Sequence, residues 1–141
     1  MYKQILIPLD NSPTDNVILQ HLRPLAHLTG ASLVLVHVAD GYAARLQEQL
    51  NLEDSEEMQK DLMYLEERKN ELAKEGFNVK TYLTTGESAD EILSVAEKEK
   101  CDLIAMSTHG HRFFKDIILG SVAENIRHRT NIPVLMIRAM H

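Results

Sequence analysis

Asp102-Leu103-Ile104-Ala105-Met106-Ser107-Thr108-His109-Gly110 carries an unbroken apolar run, Leu103 to Met106, and ends in small and polar residues. Nine residues then separate Gly110 from Gly120-Ser121-Val122-Ala123-Glu124, which opens as a helix start. A strand that alternates apolar and polar residues has one wet face. A continuous apolar run means both faces are covered, as in a parallel sheet between helix layers. The reading of this stretch therefore decides the fold class. A strand, a small-residue loop and a helix N-terminus in that order also make a candidate seat for phosphate groups.

The same signature recurs along the chain. Strands are expected at Lys3–Leu9, Ser32–Ala39, Asn78–Thr84, Asp102–Ser107 and Pro133–Arg138, with continuous runs such as Leu33-Val34-Leu35-Val36 and Val134-Leu135-Met136-Ile137. Four helical stretches alternate with them. Strict β/α alternation predicts a single α/β domain over residues 1–141, built on an open, doubly wound, five-stranded parallel sheet. Helices are expected on both faces, and one strand order open to such a sheet is 3-2-1-4-5.

The helices carry their own punctuation. Ser12-Pro13-Thr14-Asp15 reads as an N-cap, a proline at the first helical position and an acid in the first turn. That helix should run to Thr29, stop at Gly30 and kink at Pro24, which removes the hydrogen bond to Gln20. In the second helix, Met58, Leu62, Leu65 and Leu72 are read as one buried stripe, and Gly76 ends it. Ser88-Ala89-Asp90-Glu91 and Ser121-Val122-Ala123-Glu124 read as capping boxes for the third and fourth helices. Two connections, Asp40–Glu53 and Thr108–Leu119, are longer than the fold requires, as segments that cover a ligand often are.

Composition narrows the function. With 141 residues the chain is one domain with a real core. Fifteen Lys and Arg against 21 Asp and Glu leave a formal charge of −6, so there is no electrostatic footprint for nucleic acid. No apolar run reaches the ~20 residues of a membrane span. Met1-Tyr2-Lys3-Gln4 leads straight into a strand, so no signal peptide is expected. The single cysteine, Cys101, fits a reducing cytoplasm and a packing role.

In an open parallel sheet, ligands bind beyond the C-terminal ends of the strands where the order reverses. For the order 3-2-1-4-5 this crevice lies between strands one and four. Pro8-Leu9-Asp10-Asn11-Ser12 ends strand one, and Ser107-Thr108-His109-Gly110 ends strand four. Both unusual loops fall at one place. At the fourth helix, unpaired N–H groups and the positive dipole end favour an anion, Gly120 permits close approach, and the Ser121 hydroxyl can donate to it. Gly120-Ser121 reads equally as a tight turn with an N-cap. A P-loop lysine motif and a dinucleotide glycine fingerprint are both absent.

These residues carry a resemblance along essentially the whole chain. Ile5-Leu6-Ile7-Pro8-Leu9-Asp10-Asn11-Ser12, Val36-His37-Val38, Thr108-His109-Gly110, Leu119-Gly120-Ser121-Val122-Ala123-Glu124 and Pro133-Val134-Leu135 resemble a single-domain universal stress protein. ATP-binding members carry G-x2-G-x9-G-[ST]. In that register this chain reads Ser107-x2-Gly110-x9-Gly120-Ser121, so the first glycine is a serine. The resemblance implies a Rossmann-like fold of the adenine nucleotide alpha hydrolase type, and ATP or AMP as ligand. It places Asp10 near the ribose and phosphates, Val38 at adenine through its backbone, and Gly110, Gly120, Ser121 and Val122 at the ribose and phosphates, with Pro8, Leu9 and Ser107 also among the nucleotide-binding residues. It also implies a homodimer through the C-terminal strand 133–138, which Pro133 would otherwise blunt as a free edge.

Other chemistry is sparse. Asp10 beside nucleotide phosphates is a normal magnesium environment, and equally a carboxylate that caps the first helix. His109 and His111 lack a third ligand and read as loop polarity rather than a metal site. His37, inside strand two, reads as a packed, hydrogen-bonded histidine. Arg112 and Lys115 read either as groups closing over phosphates or as a solvated loop, while Phe113, Phe114, Ile117 and Ile118 fold that loop onto the domain or a partner. No nucleophile, base and orienting group assemble into a catalytic set. A nucleotide-binding sensor or adaptor is therefore expected, with a member working only through protein contacts, or a slow nucleotide hydrolase, as the alternatives.

Overall fold

The computed structural model describes residues 1–40, 51–108 and 122–138. Its strands are β1 (Gln4–Pro8), β2 (Ser32–Asp40), β3 (Val79–Gly86), β4 (Leu103–Ser107) and β5 (Val134–Ile137). Its helices are α1 (Thr14–Thr29), α2 (Asn51–Lys74), α3 (Ser88–Lys98) and α4 (122–129). The sheet runs β3-β2-β1-β4-β5, and every pairing is parallel. The expected α/β fold and strand order are what the chain adopts.

Successive residues of a strand point to opposite faces, so a continuous run feeds two cores. Ile5 and Ile7 pack with Ile18, Leu22, Leu65 and Leu72, on the face covered by α1 and α2. Leu6, between them, packs with Ile92, Val95, Ala123 and Ile126, on the face covered by α3 and α4. Ile5, Leu6 and Ile7 are all fully buried. The sheet's opposite end is tied by Asp102, whose carboxylate accepts from the N–H groups of Lys3 and Gln4 at 2.8 and 3.0 Å.

Helix ends depart from expectation in two places. Pro13, at the N-cap position, has helical backbone angles and no side-chain cap. The Ser12 hydroxyl instead donates to Asp10 Oδ1 at 2.5 Å and lies 2.8 Å from Thr14 Oγ1. Helix α3 begins one residue earlier than Ser88 would allow as its cap. Glu87 is the N-cap, and its carboxylate accepts from the N–H groups of Ala89 and Asp90 at 3.2 and 2.8 Å. A carboxylate there satisfies two unpaired donors and meets the positive dipole end. Glu87→Ala is therefore expected to cost about 1 kcal/mol in urea unfolding, where a surface change with no partner would cost almost nothing.

The end of α1 is as expected. Gly30 closes α1 at φ 70°, its N–H donating to Ala26 O at 2.9 Å. Pro24 sits on the exposed side of α1, which continues through it from Thr14 to Thr29. The stripe of α2 is corrected at one position: Leu62 is 48% exposed, and Asp61 is buried in its place. Leu65 and Leu72 set the inward direction, and Asp61 lies on that line at i−4 from Leu65. A carboxylate there needs partners, and the functional end of the sheet supplies them. Ser121, the capping residue proposed for α4, and the loop residues 109–121 lie outside the described residues.

Candidate functional site

Strand order reverses at β1, whose neighbours are β2 and β4. Beyond the C-terminal ends of these strands lies a cleft, the location general to open parallel sheets. Its walls are mostly apolar, with Leu9, Val36, Val38, Ile92, Met106 and Val122 contributing. Its polar edge comes from Asp10, Thr14, Asp15, His37, Ser88 and Ser107. Of the residues singled out from sequence, Pro8, Leu9, Asp10, Val38, Ser107 and Val122 line this one cleft. Gly110, Gly120 and Ser121 lie outside the described residues.

Each wall has a local cause. Parallel pairing of Pro8 with Val36, and the Leu9 N–H donating to Val36 O at 2.8 Å, bring the end of β1 level with β2. Val38 extends beyond that level on β2, opposite Thr84 of β3. Ser107 ends β4 opposite Ile137 of β5, and the Thr108 N–H donates to Ile137 O at 3.0 Å. From below the sheet plane Ile92 of α3 closes one side, and Val122 brings the start of α4 to the same cleft.

The loop after β1 is held by buried carboxylates. Asp15, 3% exposed, accepts at Oδ1 from the Asp10 N–H (3.1 Å) and at Oδ2 from the Asn11 N–H (2.9 Å). Tyr64 of α2 donates its hydroxyl to Asp15 Oδ2 at 2.5 Å. Burial drives the Asp15 carboxyl up from 3.8 to about 7, against the lowering effect of the Tyr64 hydroxyl bond, and nearby Asp10 adds to the rise. Burial, and then the neighbouring Asp15 charge, push the Tyr64 phenol above its ordinary range. Neither Asp15 nor Tyr64 stood out in the sequence. An aspartate in the first turn of a helix has an ordinary explanation in the dipole, and Tyr64 is 49 residues away.

A second link joins the same elements. His37 Nδ1 lies 2.8 Å from Leu9 O. A carbonyl only accepts, so this nitrogen carries the hydrogen. Nε2 then faces Asp61 Oδ2 at 3.4 Å, and Asn11 Nδ2 donates to Asp61 Oδ1 at 3.3 Å. His37 is thus packed and hydrogen-bonded as expected, and its Nε2 supports Asp61 when the ring carries both hydrogens.

Chemically, the cleft offers apolar walls with acceptor oxygens at one edge. A planar apolar group that carries hydrogen-bond donors suits such a lining. Phosphates would be repelled by Asp10 and Asp15 and are favoured toward the start of α4, where the dipole is positive. Among the described residues no three His, Cys, Asp or Glu side chains cluster to hold a metal ion. Among them, too, no helix is long and apolar enough to cross a membrane.

The chain matches the universal stress protein family over residues 1–138. It is 34% identical to universal stress protein MJ0577 of Methanocaldococcus jannaschii, over 98% of this chain and 96% of that protein. The solved MJ0577 structure superposes with a TM-score of 0.88, at 35% identity, across 100% of this chain and 99% of that one. Two more distant structures share the fold. One is a universal stress protein in complex with cAMP (TM-score 0.68, 19% identity, 97% of both chains). The other is a universal stress protein from Archaeoglobus fulgidus in complex with dAMP (TM-score 0.66, 22% identity, 96% of this chain and 97% of that one). The order of strands, the cleft at their reversal point and the full-length match agree, and the chain belongs to the universal stress protein family.

Proposed function

We propose that this protein binds an adenine nucleotide, ATP or AMP, and acts in the cytoplasm as a dimeric sensor or adaptor in a stress response. The observation that carries this reading is the convergence of Pro8, Leu9, Asp10, Val38, Ser107 and Val122 on one cleft at the strand reversal point. The apolar walls suit an adenine ring, and the acceptor edge suits the donors of ribose and of the adenine amino group. Relatives that share the fold have been solved with cAMP and with dAMP, which supports an adenine nucleotide as the ligand class. Gly110, Gly120 and Ser121 complete the proposed phosphate end, and Gly120-Ser121 leads into α4.

Asp10 fits a magnesium ion only as an auxiliary ligand. One of its oxygens already accepts from Ser12. With no three-residue cage among the described residues, a bound Mg²⁺ would be carried mainly by the phosphates. The partner reading rests on β5, which lies at the edge of the sheet. Pairing with its own copy would satisfy that edge reciprocally. Ser107 at the first glycine position favours the second reading, a family member that works through protein contacts without a nucleotide.

Heat denaturation of the purified protein and anion-exchange analysis of the supernatant separate the two. ATP or AMP near one per chain is expected. An empty supernatant, together with no thermal shift in millimolar Mg-ATP, eliminates the nucleotide reading. A ligand at a hundred times its Kd stabilises the folded state by about 2.7 kcal/mol, which such a shift detects easily. Gly120→Val should abolish binding and leave the dimer intact. Unchanged affinity in that variant removes the phosphate seat at α4.

A further inference from the structure

Asp10 stands in the cleft on a loop whose shape is not one that its own residues prefer. Asn11 has φ 59°, in the left-handed region that costs an L-residue energy. Something must hold this turn, and the holding groups are visible. The N–H groups of Asp10 and Asn11 both point at the Asp15 carboxylate. That carboxylate is itself fixed by the Tyr64 hydroxyl at 2.5 Å. Asn11 is held a second time, through its side chain, by Asp61 of the same helix. The chain of contacts thus runs from α2 through Asp15 to the backbone that presents Asp10.

We propose that Tyr64, acting through Asp15, is a positioning residue for the ligand cleft: it sets where the Asp10 carboxylate stands and so makes α2 part of the site. The proposal rests on the nucleotide reading above. A buried carboxylate is a costly way to fill space, since apolar residues of the same volume are often as stable or more so. What the carboxylate supplies that they cannot is a directed acceptor for two adjacent N–H groups. Tyr64 removes the freedom of that acceptor to turn away. A hydrogen bond to a charged group is among the stronger ones. Losing it should release the turn without emptying the core, because the ring of Tyr64 remains.

Adenosine and ATP binding to wild type, Tyr64→Phe, Asp15→Asn and the double variant, measured by calorimetry, test this. Tyr64→Phe should weaken both ligands by about tenfold. Adenosine should lose affinity as ATP does, because it has no phosphates and reports the ribose side of Asp10 alone. In the Asp15→Asn background the tyrosine change should cost no further affinity, as expected for residues that act as one unit. Amide hydrogen exchange in the unliganded protein should quicken at Asp10 and Asn11 in Tyr64→Phe. Tyr82→Phe serves as the control: it removes a hydroxyl that donates to Glu99, away from the cleft, and should leave both affinities unchanged. Wild-type affinity in Tyr64→Phe, an equal loss in Tyr82→Phe, or additive losses in the double variant overturns the proposal while leaving the nucleotide reading in place. If wild type itself binds neither ligand, the nucleotide reading falls and the proposal falls with it.

Discussion

Asp15→Asn should flatten the pH dependence of stability between pH 4 and 8. Folding moves the Asp15 carboxyl from 3.8 to about 7, with burial as the main cause. A carboxyl raised in the folded state contributes stability that is fully present below its unfolded value. That stability is lost as pH rises through the folded value. Wild type should therefore lose stability from about pH 4 upward and reach the full cost above pH 7. The loss should be of the order of a few kcal/mol, since each tenfold change in proton affinity is worth about 1.4 kcal/mol. Because Asp15 is almost fully buried, little of this is screened by solvent. The asparagine variant carries no such slope. Urea unfolding of both proteins at pH 4, 5, 6, 7 and 8 measures the difference directly, and other titrating groups cancel in the comparison. Parallel profiles would show that Asp15 stays ionised throughout, stabilised by the three bonds that it accepts.

Leu65→Ala should be the most damaging single truncation on α2. Leu65 is fully buried and packs in the cluster formed with Ile5, Ile7, Leu9 and Ile18. Truncating a leucine in such a site costs about 2–5 kcal/mol, part transfer and part cavity. For a domain whose whole stability is about 5–15 kcal/mol, that is a large share. A fall in Tm of roughly 10 °C is expected by calorimetry. Leu62→Ala, three residues away on a face that is 48% exposed, should cost far less. Equal losses at the two positions would sink this account of the α2 face. Because Tyr64 precedes Leu65, hydrogen exchange in the Leu65 variant should also quicken at Asp10 and Asn11.

Much of the site was legible because it lies in local patterns. The ends of strands one and four each carry an unusual loop, and the rule of the strand reversal point brings them together. Pro8, Leu9, Asp10 and Ser107 line one cleft as a result, and Val38 and Val122, marked by the family resemblance, line it with them. Asp15, Tyr64 and Asp61 were not legible. Asp15 is an ordinary first-turn acid until burial is known. Asp61 falls on a stripe that its neighbours mark as apolar, where among the described residues Asn11 donates to it and His37 faces it. Glu87 took the capping role from Ser88 because the helix starts one residue sooner, a boundary that tertiary packing sets.

By itself the sequence determined the parallel α/β architecture, its strand order and the cleft's address. The architecture follows from short-range periodicity, since a run apolar on both sides needs a helix layer on each face, whereas the strand order, and with it the cleft's place, rests on the family resemblance of the loop sequences. Only the tertiary structure decided the polar contacts that hold the cleft's first loop. They join residues 49 and 50 positions apart, Tyr64 to Asp15 and Asp61 to Asn11. The reason is physical: burial raises the cost of a charge, and donors brought in from a distant segment join local N–H groups in offsetting it.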